Sequence, residues 1–395
     1  MKKKFAFLFA SLFLLSACSA GPTGGSTSGS GSASGGNKQE GDTIKIGVNL
    51  ELSGAVAAYG TAEKEGIDLA VEEINESGGI LGKQIEIVSK DNKSDNNESA
   101  TVAANLTTND KVVAMIGPAT SGATKAALPN VTKAQVPLVT PSGTDDAITV
   151  SSDKVQGFAF RSCFQDSFQG TILAQYADNK LNSKKAVILS DSSSDYAKGL
   201  SKAFKDEYKG QIVDEENFVA GDKDFQAILT NIKDKDFDVL YIPAYYTEAG
   251  LIVKQAREMG IKQAIVGADG FGDEKFVETA GAANASNIYY TAHFSTSAPA
   301  SDKVPAFVDA FQKKYNTAPS QFAALAYDAV YMVKQAAEKE GTDSASIQKG
   351  LANLKDFKGV TGSISIDKNH NPEKSAVVLG LTNGKESSAD AVNPE

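Results

Sequence analysis

The chain has 395 residues, with 39 Lys and Arg against 49 Asp and Glu, for a formal charge of −10. Setting aside Lys2, Lys3 and Lys4, which fall in an expected cleavable leader, 36 bases (39 less three) face 49 acids, a charge of −13. No basic stripe is available to neutralise phosphates, which excludes nucleic acid as a partner.

In chain order, the three lysines are followed by an apolar run from Phe5 to Leu15. At about 11 residues it is too short for a bilayer core of about 30 Å and fits the apolar part of a secretory signal. Leu15, Ser16, Ala17 and Cys18 then resemble a bacterial lipobox, in which the cysteine thiol is acylated and the chain is cut before it. Residues 1–17 are therefore expected to be a signal peptide and Cys18 a lipidation site, palmitate being one such acyl group. Each buried acyl CH₂ contributes about 0.8 kcal/mol, and more than one acyl chain makes the anchor durable. Residues 18–41 are mostly Gly, Ser and Thr. They cannot bury enough surface to offset ordering entropy and are expected to be a tether. If Cys18 is lipidated, only Cys163 remains, so the folded part must rely on its core rather than on a disulfide.

Beyond the tether, about 350 residues suit two domains, and no later apolar run is long enough to span a membrane. "TIKIGVNL" (Thr43 to Leu50) reads as a buried strand. A helix is expected over Ala62 to Ser77, with Ile67, Ala70, Val71 and Ile74 on one face and glycines closing it. "QIEIVSKD", a helix near Ser99 to Thr108, "VVAMIGP" and "VPLVTPS" continue the alternation. It restarts at "KAVILSD" (Lys185 to Asp191) and runs through "FDVLYIPAY" and "AIVGAD". The rhythm implies an α/β protein of two lobes in series, each a parallel sheet with helices on both faces. Ligands of such sheets sit beyond the carboxyl ends of the strands.

Four polar clusters fall at those ends: "GPATSGAT" (Gly117 to Thr124), "TPSGTDD" (Thr140 to Asp146), "AYYTEAG" (Ala244 to Gly250) and "GADGFGDE" (Gly267 to Glu274). Singly, each is ordinary capping and turn chemistry. The first two, with hydroxyls beside the free N–H groups of a helix start, also suit an anion.

Together with Ala57–Gly60, "AVEEINESGGILGKQIEIVSKDN", "DSSSDYAKGL", "GDKDFQAILTNIK" and "AYYTEAGLIVKQAR", these clusters are similar, in the same order, to the branched-chain amino-acid (Leu/Ile/Val) substrate-binding proteins of ABC transporters. The resemblance runs from about Thr43 to Asn383. It implies the periplasmic-binding-protein type I fold, two Rossmann-like doubly wound lobes joined by three crossings near Arg161, His293 and Ile364. The N-terminal lobe would comprise 42–161 plus 293–363, the C-terminal lobe 162–292 plus 364–385, and a tail 386–395. Carried over residue by residue, Ser121 and Thr144 would hold the ligand's α-carboxylate, and the Ser142 carbonyl and Asp269 its ammonium. Tyr196 and Tyr245 would close over it, and Tyr59, Ala119, Thr120 and Phe322 would wall the side chain. Many members carry glutamate at the position of Asp269; the shorter arm here leaves room for a bridging water.

The implied partners are a free amino acid (Leu, Ile or Val), the permease and ATPase subunits of an ABC importer, and the membrane through the lipid, on the outer face of a Gram-positive cell. A monomer without a cofactor is expected. The same fold also serves sensors of amino acids, amides or short peptides. An exported hydrolase finds little support: there is no G-x-S-x-G, and the only histidines, His293 and His370, have no metal spacing. "DNKSDNNES" and "DGFGDE" lack the ligand order of a calcium loop.

Overall fold

The structure is a computed structural model that describes residues 36–38 and 41–392. The leader, Cys18 and most of the tether lie outside the described residues, as do residues 393–395. Within the expected tether, Asn37 is held on the first lobe. Its side-chain amide donates to the carbonyls of Thr107 (2.8 Å) and Val112 (2.9 Å), and its carbonyl accepts from Ser344 N–H at 3.1 Å.

The first lobe begins with β1 (Thr43–Leu50), α1 (Ala57–Glu76), β2 (Gln84–Asp91), α2 (Asn96–Thr108), β3 (Ala114–Ile116), α3 (Ser121–Ala134) and β4 (Leu138–Thr140). A 3₁₀ turn (Asp146–Ile148) and a small ladder of β5 (Val150–Ser151) with β6 (Lys154–Val155) lead to β7 (Ala159–Arg161). The sheet order is β2-β1-β3-β4-β7, all parallel. Helices cover both faces, so after an alternating start β1 is buried without a break from Ile46 to Leu50, Gly47 and Asn49 included. The first helix starts at Ala57 rather than Ala62. It lies tight on a later helix at Gly66, where a Cβ would stand 2.1 Å from the Ala323 carbonyl oxygen, so only glycine fits.

The second lobe follows: α4 (Asp166–Asn179), β8 (Lys185–Asp191), α5 (Asp195–Glu207), β9 (Gln211–Phe218), α6 (Gln226–Ile232), β10 (Val239–Ile242), α7 (Tyr246–Glu258), β11 (Ala264–Gly267), a 3₁₀ turn (Asp269–Phe271), α8 (Glu274–Ala280) and β12 (Ile288–Ala292). The chain returns to the first lobe as α9 (Val304–Tyr315), α10 (Gln321–Glu340), α11 (Ser344–Ala352), β13 (Phe357–Gly359), β14 (Gly362–Ile366) and β15 (Pro372–Glu373). It ends in the second sheet as β16 (Ala376–Thr382) and β17 (Lys385–Val392), giving the order β17-β16-β12-β11-β10-β8-β9. β8 to β12 run parallel, β16 pairs antiparallel with β12, and β17 antiparallel with β16.

Two boundaries differ from the sequence reading. Ile364 sits inside β14, paired with Phe357, so the third passage between lobes falls between β15 and β16, beside Lys374. Residues 386–392, read as a tail, belong to β17. That strand, "KESSADAV", is an edge strand held by backbone pairing and carries no apolar alternation to mark it. Cys163 is buried and free, and burial pushes its thiol up to about 12. No helix among the described residues is long and apolar enough to cross a membrane.

Candidate ligand-binding cleft

The first lobe contributes the ends of β1, β3 and β4. No side chain caps α3, which starts after Thr120, so the N–H groups of its first turn face the cleft end of the sheet. The Ser121 hydroxyl accepts from Asp145 N–H at 3.1 Å, which leaves its own proton free to donate. Thr144 is fully buried, its hydroxyl set against the Asp166 carboxyl across the passage between lobes. The turn ahead of α3 is not wholly open to an external anion. The buried Glu51 carboxylate accepts from Ala119 N–H (3.0 Å), Thr120 N–H (3.1 Å) and the Thr120 hydroxyl (2.7 Å). Glu51 does not reach Thr144, nor Ser121, whose N–H meets the Tyr245 hydroxyl.

Ser142 lies behind them, its hydroxyl hydrogen-bonded to Glu63 and 2.8 Å from the Ala119 carbonyl oxygen. Burial pushes the Glu63 carboxyl well above its usual range; the Ser142 hydrogen bond draws it back and Glu51 adds to the rise. The single Ser142 proton thus has two acceptors in reach, Glu63 Oε1 and the Ala119 carbonyl. The Ser142 carbonyl accepts no hydrogen bond among the described residues.

The second lobe presents Asp269, buried at the end of β11. Its Oδ1 accepts from the Tyr196 hydroxyl (2.7 Å) and from Gln169 Nε2 (3.1 Å), and its Oδ2 lies 3.4 Å from His293 Nε2. His293 stacks on Phe164 with centroids 3.6 Å apart. Burial drives its pKa down to about 4 against the pull of Asp269, so the contact is between a neutral imidazole and a carboxylate. The Tyr196 ring stacks on Tyr245 at 4.8 Å.

The lobes touch across the cleft. Tyr59 donates to the Gly270 carbonyl at 2.5 Å, and its oxygen accepts from Tyr246 N–H at 3.0 Å, so it caps α7 from the opposite lobe. Its ring meets Phe322 at 4.5 Å and Tyr245 at 5.7 Å. Gln321 donates to the Asp269 carbonyl (2.7 Å) and accepts from His293 N–H (2.8 Å). Lys125 on α3 pairs with Asp145 of its own lobe and Asp195 of the other, each at 2.9 Å.

The ten sequence-expected residues thus gather at one junction of the lobes. Sequence reasoning missed Glu51, Glu63, Asp166, Gln169 and Gln321. Asp166 and Gln169 follow the end of β7 and Glu51 the end of β1, where the strand-end rule also reaches; Glu63 and Gln321 left no comparable signal. An open groove of about 800 Å³, lined by Ala58, Glu65, Tyr246, Asp273, Glu274 and Ser320 among others, runs beside the junction. It shares Tyr246 with it but contains none of Ser121, Thr144, Tyr196, Tyr245 or Asp269. Among the buried polar atoms without a hydrogen bond of good geometry, those of Glu63, Thr144, Asp166 and His293 lie at the junction and none belongs to a residue lining the groove.

A family described as Periplasmic binding protein matches residues 43–386. The Leu/Ile/Val-binding protein homolog 3 of Brucella melitensis is 31% identical over 329 residues, 82% of this chain and 86% of that one. Among solved structures, the branched-chain amino acid transporter substrate binding protein LivJ from Streptococcus pneumoniae, in complex with isoleucine, is 55% identical with a TM-score of 0.86. That similarity covers 89% of this chain and 100% of LivJ. The leucine binding protein LivK from Thermotoga maritima is 33% identical with a TM-score of 0.84, covering 89% and 99% of the two chains.

Proposed function

Because this chain belongs to the periplasmic binding protein family, we propose that it is the extracellular substrate-binding lipoprotein of an ABC importer, taking leucine, isoleucine or valine into the cleft between its lobes. Its relatives are binding proteins rather than enzymes, and the chain is not an enzyme. One observation carries the reading: hydroxyl and helix-end donors on one lobe face a buried carboxylate on the other, with Tyr59, Tyr196, Tyr245 and Phe322 between them. That arrangement suits a zwitterion with an aliphatic side chain.

In this mechanism the open form receives the carboxylate on Ser121 and Thr144 of the first lobe. Closure then brings Asp269 to the ammonium, with the Ser142 carbonyl beside it, and Tyr59 to Gly270. The ligand's differential contacts with the closed form shift the population toward it. A permease reads that form and, with its ATPase subunits, imports the ligand. Micromolar affinity needs only about −8 kcal/mol. Charge-assisted contacts at both ends and a buried aliphatic side chain worth about 1.5–3 kcal/mol supply it net of ordering costs. Leu, Ile and Val differ by about 1–3 kcal/mol per methylene, so discrimination among them is modest. Lysine and aspartate are rejected, because their side-chain charge would be buried unpaired.

A thermal-shift panel of the twenty amino acids tests the reading. At a hundredfold excess over Kd a ligand stabilises by about 2.7 kcal/mol. Leu, Ile and Val should raise the melting temperature and Lys and Asp should leave it unchanged; no shift with any aliphatic amino acid contradicts the reading.

A further inference from the structure

One buried cation has no part in that mechanism. Arg161 is fully buried at the end of β7, paired in register with Thr140 of β4, from which the turn to Asp146 leaves for the cleft. Its guanidinium reaches along that turn. Nη1 donates to the Gly143 carbonyl at 3.1 Å, and Nη2 to the Asp145 carbonyl at 2.8 Å and to Thr149 Oγ1 at 3.1 Å. The Thr144 carbonyl between them accepts from Asp166 N–H at 2.9 Å, and the Cys163 thiol lies 3.3 Å from the Gly143 carbonyl oxygen. Three successive carbonyls of the turn are thus held by the first passage between lobes.

A planar trans peptide points its N–H opposite to its C=O. The N–H groups of Thr144 and Asp145 are therefore turned away from that passage. The Asp145 N–H meets Ser121 Oγ at 3.1 Å. The Thr144 N–H, one peptide earlier, donates to nothing among the described residues. Buried N–H groups are rarely left so, and this one is where a ligand's acceptor belongs. A Cβ at Gly143 would stand 2.6 Å from Thr140 Oγ1, so the turn keeps this shape only with glycine there.

The charge is a second, independent observation. A guanidinium stays protonated in proteins. The acceptors of Arg161 are two carbonyls and a hydroxyl, its Nε has no hydrogen bond of good geometry, and among the described residues no carboxylate pairs with it. The Asp145 carboxylate, on the same turn, goes to Lys125 instead. A buried cation without a counter-ion is costly, and an arriving anion offsets that cost.

We propose that Arg161 is the positioning residue of the carboxylate subsite: it holds the Gly143 and Asp145 carbonyls away from the ligand, so that the Thr144 N–H donates to the bound α-carboxylate, whose charge balances the buried guanidinium. This rests on the reading of the cleft as an amino-acid site. Arg161 touches no ligand atom and acts through the turn. A planar fork suits the task, since it spans two carbonyls that a single ammonium would hold less rigidly. Thr149 extends the brace: its hydroxyl donates to Asn371 Oδ1 at 2.8 Å, just ahead of β15 and the third passage.

Amide NMR and calorimetry, with whichever of the twenty amino acids binds most tightly, test this. In the wild-type protein the Thr144 amide proton should move downfield on binding. Arg161→Met should bind about tenfold or more weakly, and at saturating ligand its Thr144 amide should move less. Arg161→Lys keeps the charge and loses the fork, so it should fall between the two on both readings. Should Arg161→Met fail to fold, the wild-type and lysine readings decide the matter. A wild-type Thr144 amide that ignores the ligand overturns the proposal with no variant needed and leaves the amino-acid reading standing. Variants that bind as tightly as the wild type, or that bind weakly with the full Thr144 response, confine Arg161 to the fold and overturn it as well. If none of the twenty amino acids binds the wild type, both fall.

Discussion

Thr144 carries a buried hydroxyl set against the Asp166 carboxyl. Thr144→Val keeps the shape and removes the oxygen, so affinity measured by calorimetry should fall about tenfold or more. Unchanged affinity would assign Thr144 to the core. His293 gives a pH dependence whose sign follows from its lowered pKa. Unfolded, it binds a proton below 6.5; folded, only below about 4. Its contribution is therefore fully present above pH 6.5 and is lost as pH falls toward 4, up to roughly 3 kcal/mol. Chemical denaturation of the ligand-free protein at pH 7 and pH 4.5 should show this loss, and His293→Gln should show less of it. At this scale Ser121, Ser142, Thr144, Tyr245 and Asp269 were legible because they fall in the turns that follow strands, while Tyr59 and Tyr196, on α1 and α5, were legible only through the family resemblance. Glu51 also follows a strand directly, but that it occupies part of the anion turn was not legible, because only the fold aims it at Ala119 and Thr120.

Among the elements, closure joins α3 to α5 and α1 to α7. Lys125 reaches Asp195 across the cleft and is one-third exposed, so the pair is worth about 0.2–1 kcal/mol. Lys125→Ala should weaken ligand binding by about two- to fivefold at low salt, mainly through faster release, and the difference should vanish near 0.5 M salt as screening takes over. Stopped-flow release rates at two salt concentrations check this; an effect independent of salt would mean that Lys125 acts by packing. The buried strands were legible as apolar runs because both faces of each sheet are covered. The start of α1 was not, since its first turn holds Gly60 and small alanines, with Gly60 packed so closely that a Cβ would stand 2.2 Å from the Glu51 carbonyl oxygen. β17 was invisible for the reason edge strands often are: backbone pairing with β16 needs no apolar side chain.

At the scale of the whole molecule, the proposal joins a two-lobed receptor to a lipid at Cys18 through a Gly/Ser-rich segment. Cys18→Ala should move the protein from the membrane fraction into the medium and leave affinity unchanged; a variant that stays with the membrane removes the anchor from the proposal. The central claim is that a zwitterion is divided between the lobes, its carboxylate on the first and its ammonium on the second. A crystal structure of the protein grown with isoleucine tests that most directly. The carboxylate should lie within hydrogen-bond distance of Ser121 and Thr144, and the ammonium beside Asp269, directly or through one water. A ligand bound with its charges reversed, or an empty cleft at saturating isoleucine, would contradict it.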